Sequence, residues 1–210
     1  MTDFLELLRN NPYPGRGIAV GHHAVYYFIM GRSVNSRNRV FVETTDGIRT
    51  EAHDPALLAD PSLIIYHPVR ETKKGLVVTN GDQTDTIAKM GRFRKALMTR
   101  EYEPDEPNFT PRISAILRKN GSFELSILKR SDGTCLREFF AYEGVAQGKG
   151  FFISTYQGDG DPLPSFAGEP IEINWPEPGA VWSALNWDNK VSLYSNQAGE
   201  VRLFNKNLGD

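Results

Sequence analysis

A single cysteine, Cys135, stands among the 210 residues. That excludes an internal disulfide framework and any zinc site built from several cysteines. Four histidines, His22, His23, His53 and His67, show no metal-ligand spacing, and HExxH is absent, so no metal centre is expected. No excess of one charge exists either: the formal net charge is -2, which does not favour nucleic acid or an anionic membrane surface as partner. No apolar run approaches the ~20 residues of a membrane span. The opening Met1-Thr2-Asp3-Phe4-Leu5-Glu6 lacks a basic n-region and a long apolar h-region. The expectation is a soluble, cytoplasmic protein. Internal repeats, low-complexity tracts and long linkers are also missing, so residues 1–210 read as one domain with its own core.

What is present is mostly strand-like. Residues 2–10 place Phe4, Leu5, Leu7 and Leu8 as a short amphipathic helix ended by Asn10-Asn11-Pro12. Two strands, 18–20 and 24–30, flank a Gly21-His22-His23 turn, and Asp46-Gly47 joins 40–42 to 48–50 as a hairpin. Further strands are expected at 63–66, 76–78, 112–117, 123–128, 136–142, 151–155, 191–194 and 201–204, with turns at Asn120-Gly121 and Asp132-Gly133. Residues 84–97 read as a helix capped by Asp82 or Thr84, and 180–185 as a shorter one. Five prolines make 158–179 a structured loop. Many antiparallel strands with few helices predict α+β layers.

Three polar segments carry the candidate chemistry. Before Lys73 every cationic side chain other than histidine is arginine: Arg9, Arg16, Arg32, Arg37, Arg39, Arg49 and Arg70. Arginine presents a planar fork that binds phosphate bidentately, which lysine does not. The alternative is a solvated surface. Gly31-Arg32-Ser33-Val34-Asn35-Ser36-Arg37-Asn38-Arg39 tips the balance towards an anion site, because it gathers three guanidinium groups with amides and hydroxyls in a loop after a strand. A phosphorylated small molecule is the natural partner. In Thr79-Asn80-Gly81-Asp82-Gln83-Thr84-Asp85-Thr86-Ile87, a buried strand runs through a polar turn into a helix start, which suits an oxyanion or an ordinary cap. It is not a Walker loop, since the spacing and the lysine are absent. Finally, Tyr102-Glu103-Pro104-Asp105-Glu106-Pro107-Asn108-Phe109-Thr110-Pro111-Arg112 is a proline-stiffened acidic loop leading to an arginine. It is either a solvated connection or a place for a carboxylate acting as acid or base.

In this order the segments resemble the archaeal-type IMP cyclohydrolase family. Tyr13-Pro14-Gly15-Arg16-Gly17-Ile18-Ala19-Val20-Gly21 is similar to its opening Tyr-x-Gly-Arg-x-x-Ala-Val-Gly. Gly31-Arg32-Ser33 with Asn38-Arg39, then Thr79-Asn80-Gly81 with Thr84-Asp85-Thr86-Ile87, resemble its next motifs, although Arg37 stands where the family has proline. Tyr102-Glu103 through Thr110-Pro111-Arg112-Ile113, and Ile153-Ser154-Thr155-Tyr156, complete the series. The resemblance implies a four-layer αββα sandwich like that of N-terminal-nucleophile hydrolases, mainly antiparallel and without autocatalytic processing. It implies dehydrative ring closure of 5-formamidoimidazole-4-carboxamide ribonucleotide to IMP, a reaction classed by its reverse, hydrolysis of a cyclic amidine. It implies no cofactor and a homo-oligomer. Carried over by motif, the acting groups fall on Arg32, Tyr66, Glu103 and, near the C-terminus, Lys190. Substrate-binding groups fall on Arg16, Asn38, Arg39, Asn80, Thr84, Asp85, Arg112 and Thr155. Two other readings stand beside this one: an amide hydrolase of the same fold acting on a nucleotide-like compound, and a purine-nucleotide sensor without catalysis.

Overall fold

The structure, a computed structural model, describes residues 1–58, 61 and 64–210. In chain order its regular elements begin with α1 (Phe4–Asn10), β1 (Arg16–Gly21), β2 (Ala24–Met30), α2 (Val34–Arg37), β3 (Arg39–Thr44) and β4 (Gly47–Ala52). Next come β5 (Val69–Thr72), β6 (Gly75–Thr79), α3 (Gln83–Met90), α4 (Phe93–Leu97), β7 (Arg112–Leu117) and β8 (Phe123–Ser131). The chain ends with β9 (Thr134–Tyr142), β10 (Lys149–Ser154), β11 (Ile171–Asn174), α5 (Pro178–Ala184), β12 (Lys190–Gln197) and β13 (Glu200–Asn205).

The strands form two antiparallel sheets, ordered β11-β10-β1-β2-β12-β13 and β3-β4-β5-β6-β7-β8-β9. The fold class is α+β. Side-chain alternation explains how the sheets are covered. In β2 every residue is buried: Val25, Tyr27 and Ile29 face the second sheet, packing with Phe41, Ile113 and Leu125, while Tyr26, Phe28 and Met30 face outward. That outer face takes Phe4 and Leu8 of α1 and Val181 and Trp182 of α5. Val77, Ile116 and Leu128 on the outer face of the second sheet take Ile87 of α3 and Phe93 and Leu97 of α4. A strand buried on both faces is why β2 reads as an unbroken apolar run. Among the described residues no helix is long and apolar enough to cross a membrane.

Several sequence expectations are corrected. The strand expected at 63–66 is a turn at Ile64–Tyr66, where the amides of Ile64 and Ile65 both donate to the Pro61 carbonyl; Leu63 lies outside the described residues. The strand here is β5, farther along, in a polar stretch whose alternation sequence reading missed. The helix expected over 84–97 is broken at Gly91, which adopts φ +61 and donates its amide to the Ile87 carbonyl at 2.8 Å before α4 restarts. Left-handed backbone of this kind ends helices and favours glycine. The loop expected at 158–179 contains β11, an edge strand that pairs with β10.

Candidate functional site

Three arginines open strands at the same end of the two sheets: Arg16 begins β1, Arg39 begins β3 and Arg112 begins β7. Between them lies a cavity of about 310 Å³, lined among others by Tyr13, Arg16, Arg32, Arg39, Glu103 and Tyr156. A larger cleft of about 860 Å³ opens at the opposite end, by His22, His23 and Trp175. Its charged side chains are exposed or, like Arg118, already paired with Glu124. The smaller cavity holds the buried charge, and burial is what makes charge chemically consequential.

Each charged group there is placed by local backbone. The Arg16 amide donates to the Thr155 hydroxyl at 3.1 Å, the Thr155 amide donates to the Arg16 carbonyl at 2.9 Å, and Arg16 Nη1 donates to the Met30 carbonyl at 3.2 Å. Burial alone would lower the Arg16 pKa, but the surrounding Tyr13, Tyr66, Tyr27 and Glu103 outweigh it and raise it. Arg39 is 1% exposed. Its Nε donates to the Ser36 carbonyl at 2.9 Å, at the end of a turn that Ser33 caps. Both terminal nitrogens, Nη1 and Nη2, are buried with no hydrogen-bond partner among the described residues. Burial, then the Arg16 cation, pull the Arg39 pKa down to about 10, so it stays charged at neutral pH.

Glu103 is also buried, and its amide donates to the Thr110 carbonyl at 2.9 Å. Burial pushes its carboxyl up to about 7, against the pull of Arg112 and Arg16. Arg112 Nη1 is 3.9 Å from that carboxylate, 2.9 Å from Asp82 and 2.6 Å from the Gln83 amide oxygen. Gly81 permits this convergence. A Cβ there would sit 2.5 Å from Arg112 Nη1 and 3.2 Å from Glu103 Oε1. Tyr66 is held by Thr50, whose hydroxyl accepts its amide at 2.9 Å, and its phenol shares a 2.8 Å hydrogen bond with that of Tyr27. At the rim, Arg32 pairs with Asp159 at 2.6 Å and lies over the Tyr13 ring, 4.9 Å from its centroid.

The structure thus brings Arg16, Arg32, Arg39 and Glu103 to one cavity; Arg112 and Tyr66 do not line it, Arg112 standing 3.9 Å from the Glu103 carboxylate and Tyr66 bonded to Tyr27. Thr155 supports Arg16 rather than lining the space. Asn38 spends both ends of its amide on the backbone of Asp54. Asn80 ties β6 to β7, donating to the Pro111 carbonyl and accepting the Ile113 amide. Thr84 is buried against Thr79 and the Gly81 carbonyl. Asp85 is exposed and pairs with Arg70 at 2.8 Å. Lys190 is not brought in: its ammonium rests over the rings of Trp182 and Trp187, at 3.9 and 4.3 Å, on the outward side of β12, and burial, then Lys206, lower its pKa.

Sequence reasoning missed Tyr13, Tyr27, Gln83, Asp105, Thr110 and Tyr156 as site residues. Tyr156, Thr110 and Tyr13 sat inside the quoted motifs, which was a usable signal. Tyr27 had none, because its alternation in β2 is that of a core residue. Among the described residues no group of three or more His, Cys, Asp or Glu is arranged to hold a metal ion.

Two comparisons bear on this geometry. A family model described as IMP cyclohydrolase-like protein matches residues 13–200. The IMP cyclohydrolase of Methanococcus aeolicus is 27% identical over 159 residues, covering 69% of this chain and 74% of that protein.

Proposed function

The chain belongs to the IMP cyclohydrolase-like family, and from that membership and the cavity we propose that it converts 5-formamidoimidazole-4-carboxamide ribonucleotide to IMP and water. The observation that carries this reading is Arg39, a buried guanidinium whose two terminal nitrogens lack partners among the described residues, beside the Arg16 cation. A buried, unpaired cation is costly to the folded chain and calls for an anionic ligand, which a nucleotide phosphate supplies.

In the reaction the carboxamide nitrogen attacks the formyl carbon of the same molecule. A C–N bond forms, the formyl oxygen takes the developing charge, and the resulting carbinolamine loses that oxygen as water. The enzyme needs no nucleophile of its own. It must hold the reacting groups together, stabilise the oxygen and move protons. Glu103, with a carboxyl pKa near 7, is suited to take one proton of the attacking nitrogen and return it to the formyl oxygen. The second proton of the departing water comes from the formamido N–H as the C=N bond of the new ring forms. The Tyr66 hydroxyl, fixed by Tyr27, is suited to donate to the formyl oxygen. Arg32 at the rim is suited to close over bound substrate. The two helix-covered sheets fit the four-layer αββα sandwich of N-terminal-nucleophile hydrolases, here without a processed nucleophile. A cytoplasmic homo-oligomer belongs to the same proposal. The test is turnover of the formamido ribonucleotide by the purified chain, followed by ultraviolet absorbance.

A further inference from the structure

One hydrogen-bond chain in the cavity wall has a fixed direction. Asp105, Thr110 and Tyr156 all line the cavity. Asp105 Oδ1 accepts the Thr110 amide at 2.6 Å, and Oδ2 accepts the Thr110 hydroxyl in a short bond. The Thr110 hydroxyl is also 2.7 Å from the Tyr156 hydroxyl.

The direction follows from counting hydrogens. The Thr110 hydroxyl donates to Asp105 Oδ2, and a threonine hydroxyl has one hydrogen. That hydrogen is committed to Asp105, so the Thr110 oxygen must accept from Tyr156. The single phenolic hydrogen of Tyr156 therefore points at Thr110, and its remaining capacity is that of an acceptor. Burial pushes the Tyr156 pKa up to about 12, so the phenol keeps this hydrogen at neutral pH. Its ring is held in a stack with Tyr13, centroids 5.9 Å apart, which leaves little freedom to re-aim the oxygen.

The rest of the cavity wall is rich in donors: the guanidinium groups of Arg16, Arg32 and Arg39 offer only N–H. A ligand built from a phosphate and carbonyl oxygens matches them. A ligand that also carries an amide N–H needs an acceptor, and Glu103 and Tyr156 supply one on each side of Thr110, whose carbonyl takes the Glu103 amide. We propose that Tyr156, polarised by Asp105 through Thr110, is a specificity-determining acceptor that takes the N–H of the ligand's amide. This rests on the cyclohydrolase reading, in which that nitrogen is the attacking carboxamide nitrogen and becomes N1–H of IMP. Asp105 and Thr110 act through Tyr156 and are positioning residues.

The test compares two ligands on four proteins by calorimetry. IMP carries a hydrogen on N1. Purine ribonucleoside monophosphate carries a lone pair there. The wild type should prefer IMP, because a lone pair facing the fixed Tyr156 acceptor leaves both unsatisfied. Tyr156→Phe should lower that preference about tenfold, the size of one neutral hydrogen bond. Thr110→Val keeps the backbone bonds to Asp105 and Glu103 but frees the Tyr156 hydroxyl to donate. It should lower the preference too, chiefly by improving the lone-pair ligand, and Thr110→Ser should restore it. A merely structural role for Thr110 would weaken both ligands alike, and that result overturns the proposal. So does an unchanged preference in Tyr156→Phe. Turnover of the formamido substrate by the wild type is measured alongside. Turnover with unchanged preferences removes this inference and leaves the cyclohydrolase reading standing. Changed preferences without turnover do the reverse, and failure of the wild type to bind either nucleotide removes both.

Discussion

Arg39 presents to a cavity that already contains Arg16 two buried guanidinium nitrogens without a partner among the described residues, so two cations face one small space. Such an arrangement is poor for folding and good for binding an anion. Replacing Arg39 by methionine should therefore leave the ligand-free melting temperature equal or higher. At about 100 times its dissociation constant, IMP should stabilise the wild type by ~2.7 kcal/mol, or roughly 5–10 °C for a chain of this size. The variant should lose most of that shift. Arg39→Lys keeps the charge without the fork, and is expected to raise KM more than it lowers kcat. Wild-type values of both constants in Arg39→Lys and Arg16→Lys would place the phosphate elsewhere.

In the proposed reaction Glu103 links activity to pH and stability. Its carboxyl stands at about 7 in the fold against an ordinary 4.5. A raised value means that the folded state binds the proton more tightly. The contribution is full below pH 4.5 and is lost as pH rises to about 7, by up to ~3 kcal/mol. Glu103→Gln lacks that loss, so between pH 5 and 8 its melting temperature should fall less than the wild type's. Its turnover should drop at least ~10²-fold. An unchanged rate per folded molecule would reduce Glu103 to a loop residue.

Tyr66 and Tyr27 share a hydrogen bond, and their variants should differ in severity. Tyr66→Phe removes the donor itself and is expected to cost at least ~10²-fold in kcat. Tyr27→Phe removes only the partner that aims it, and is expected to cost roughly tenfold. Equal losses accompanied by equal falls in melting temperature would indicate a shared structural role instead.

Much of the fold was legible. The unbroken apolar run of β2 announces a strand covered on both faces, and Asp132-Gly133, both with positive φ, forms the turn its residue types predict. The three polar segments were legible as candidates because arginine, amide and carboxylate side chains cluster in loops after strands. Their meeting was not, since it depends on which strand ends share one end of the sandwich. β5 and β11 were hidden by polar or proline-flanked sequence, and only their neighbours in the sheet make them strands. Lys190 failed to reach the cavity because the register irregularity between Lys190 and Ser192 accompanies an outward-facing lysine between two tryptophans, which spacing alone does not reveal.

The proposed ring closure within one substrate molecule, with charge stabilised by side chains of the chain itself, calls for no metal. Enzyme dialysed against EDTA should retain its full rate, and added divalent ions should not raise it. Loss of activity on chelation, restored by one divalent ion, would require a different account of how the formyl oxygen is stabilised.

The most direct test follows the formamido ribonucleotide with wild type and Glu103→Gln, identifying products by mass. Intramolecular cyclisation predicts IMP, lighter than the substrate by one water, formed by the wild type and at least ~10²-fold more slowly by the variant. Release of formate with the aminoimidazole carboxamide ribonucleotide left behind would show hydrolysis of a linear amide, and would contradict the account.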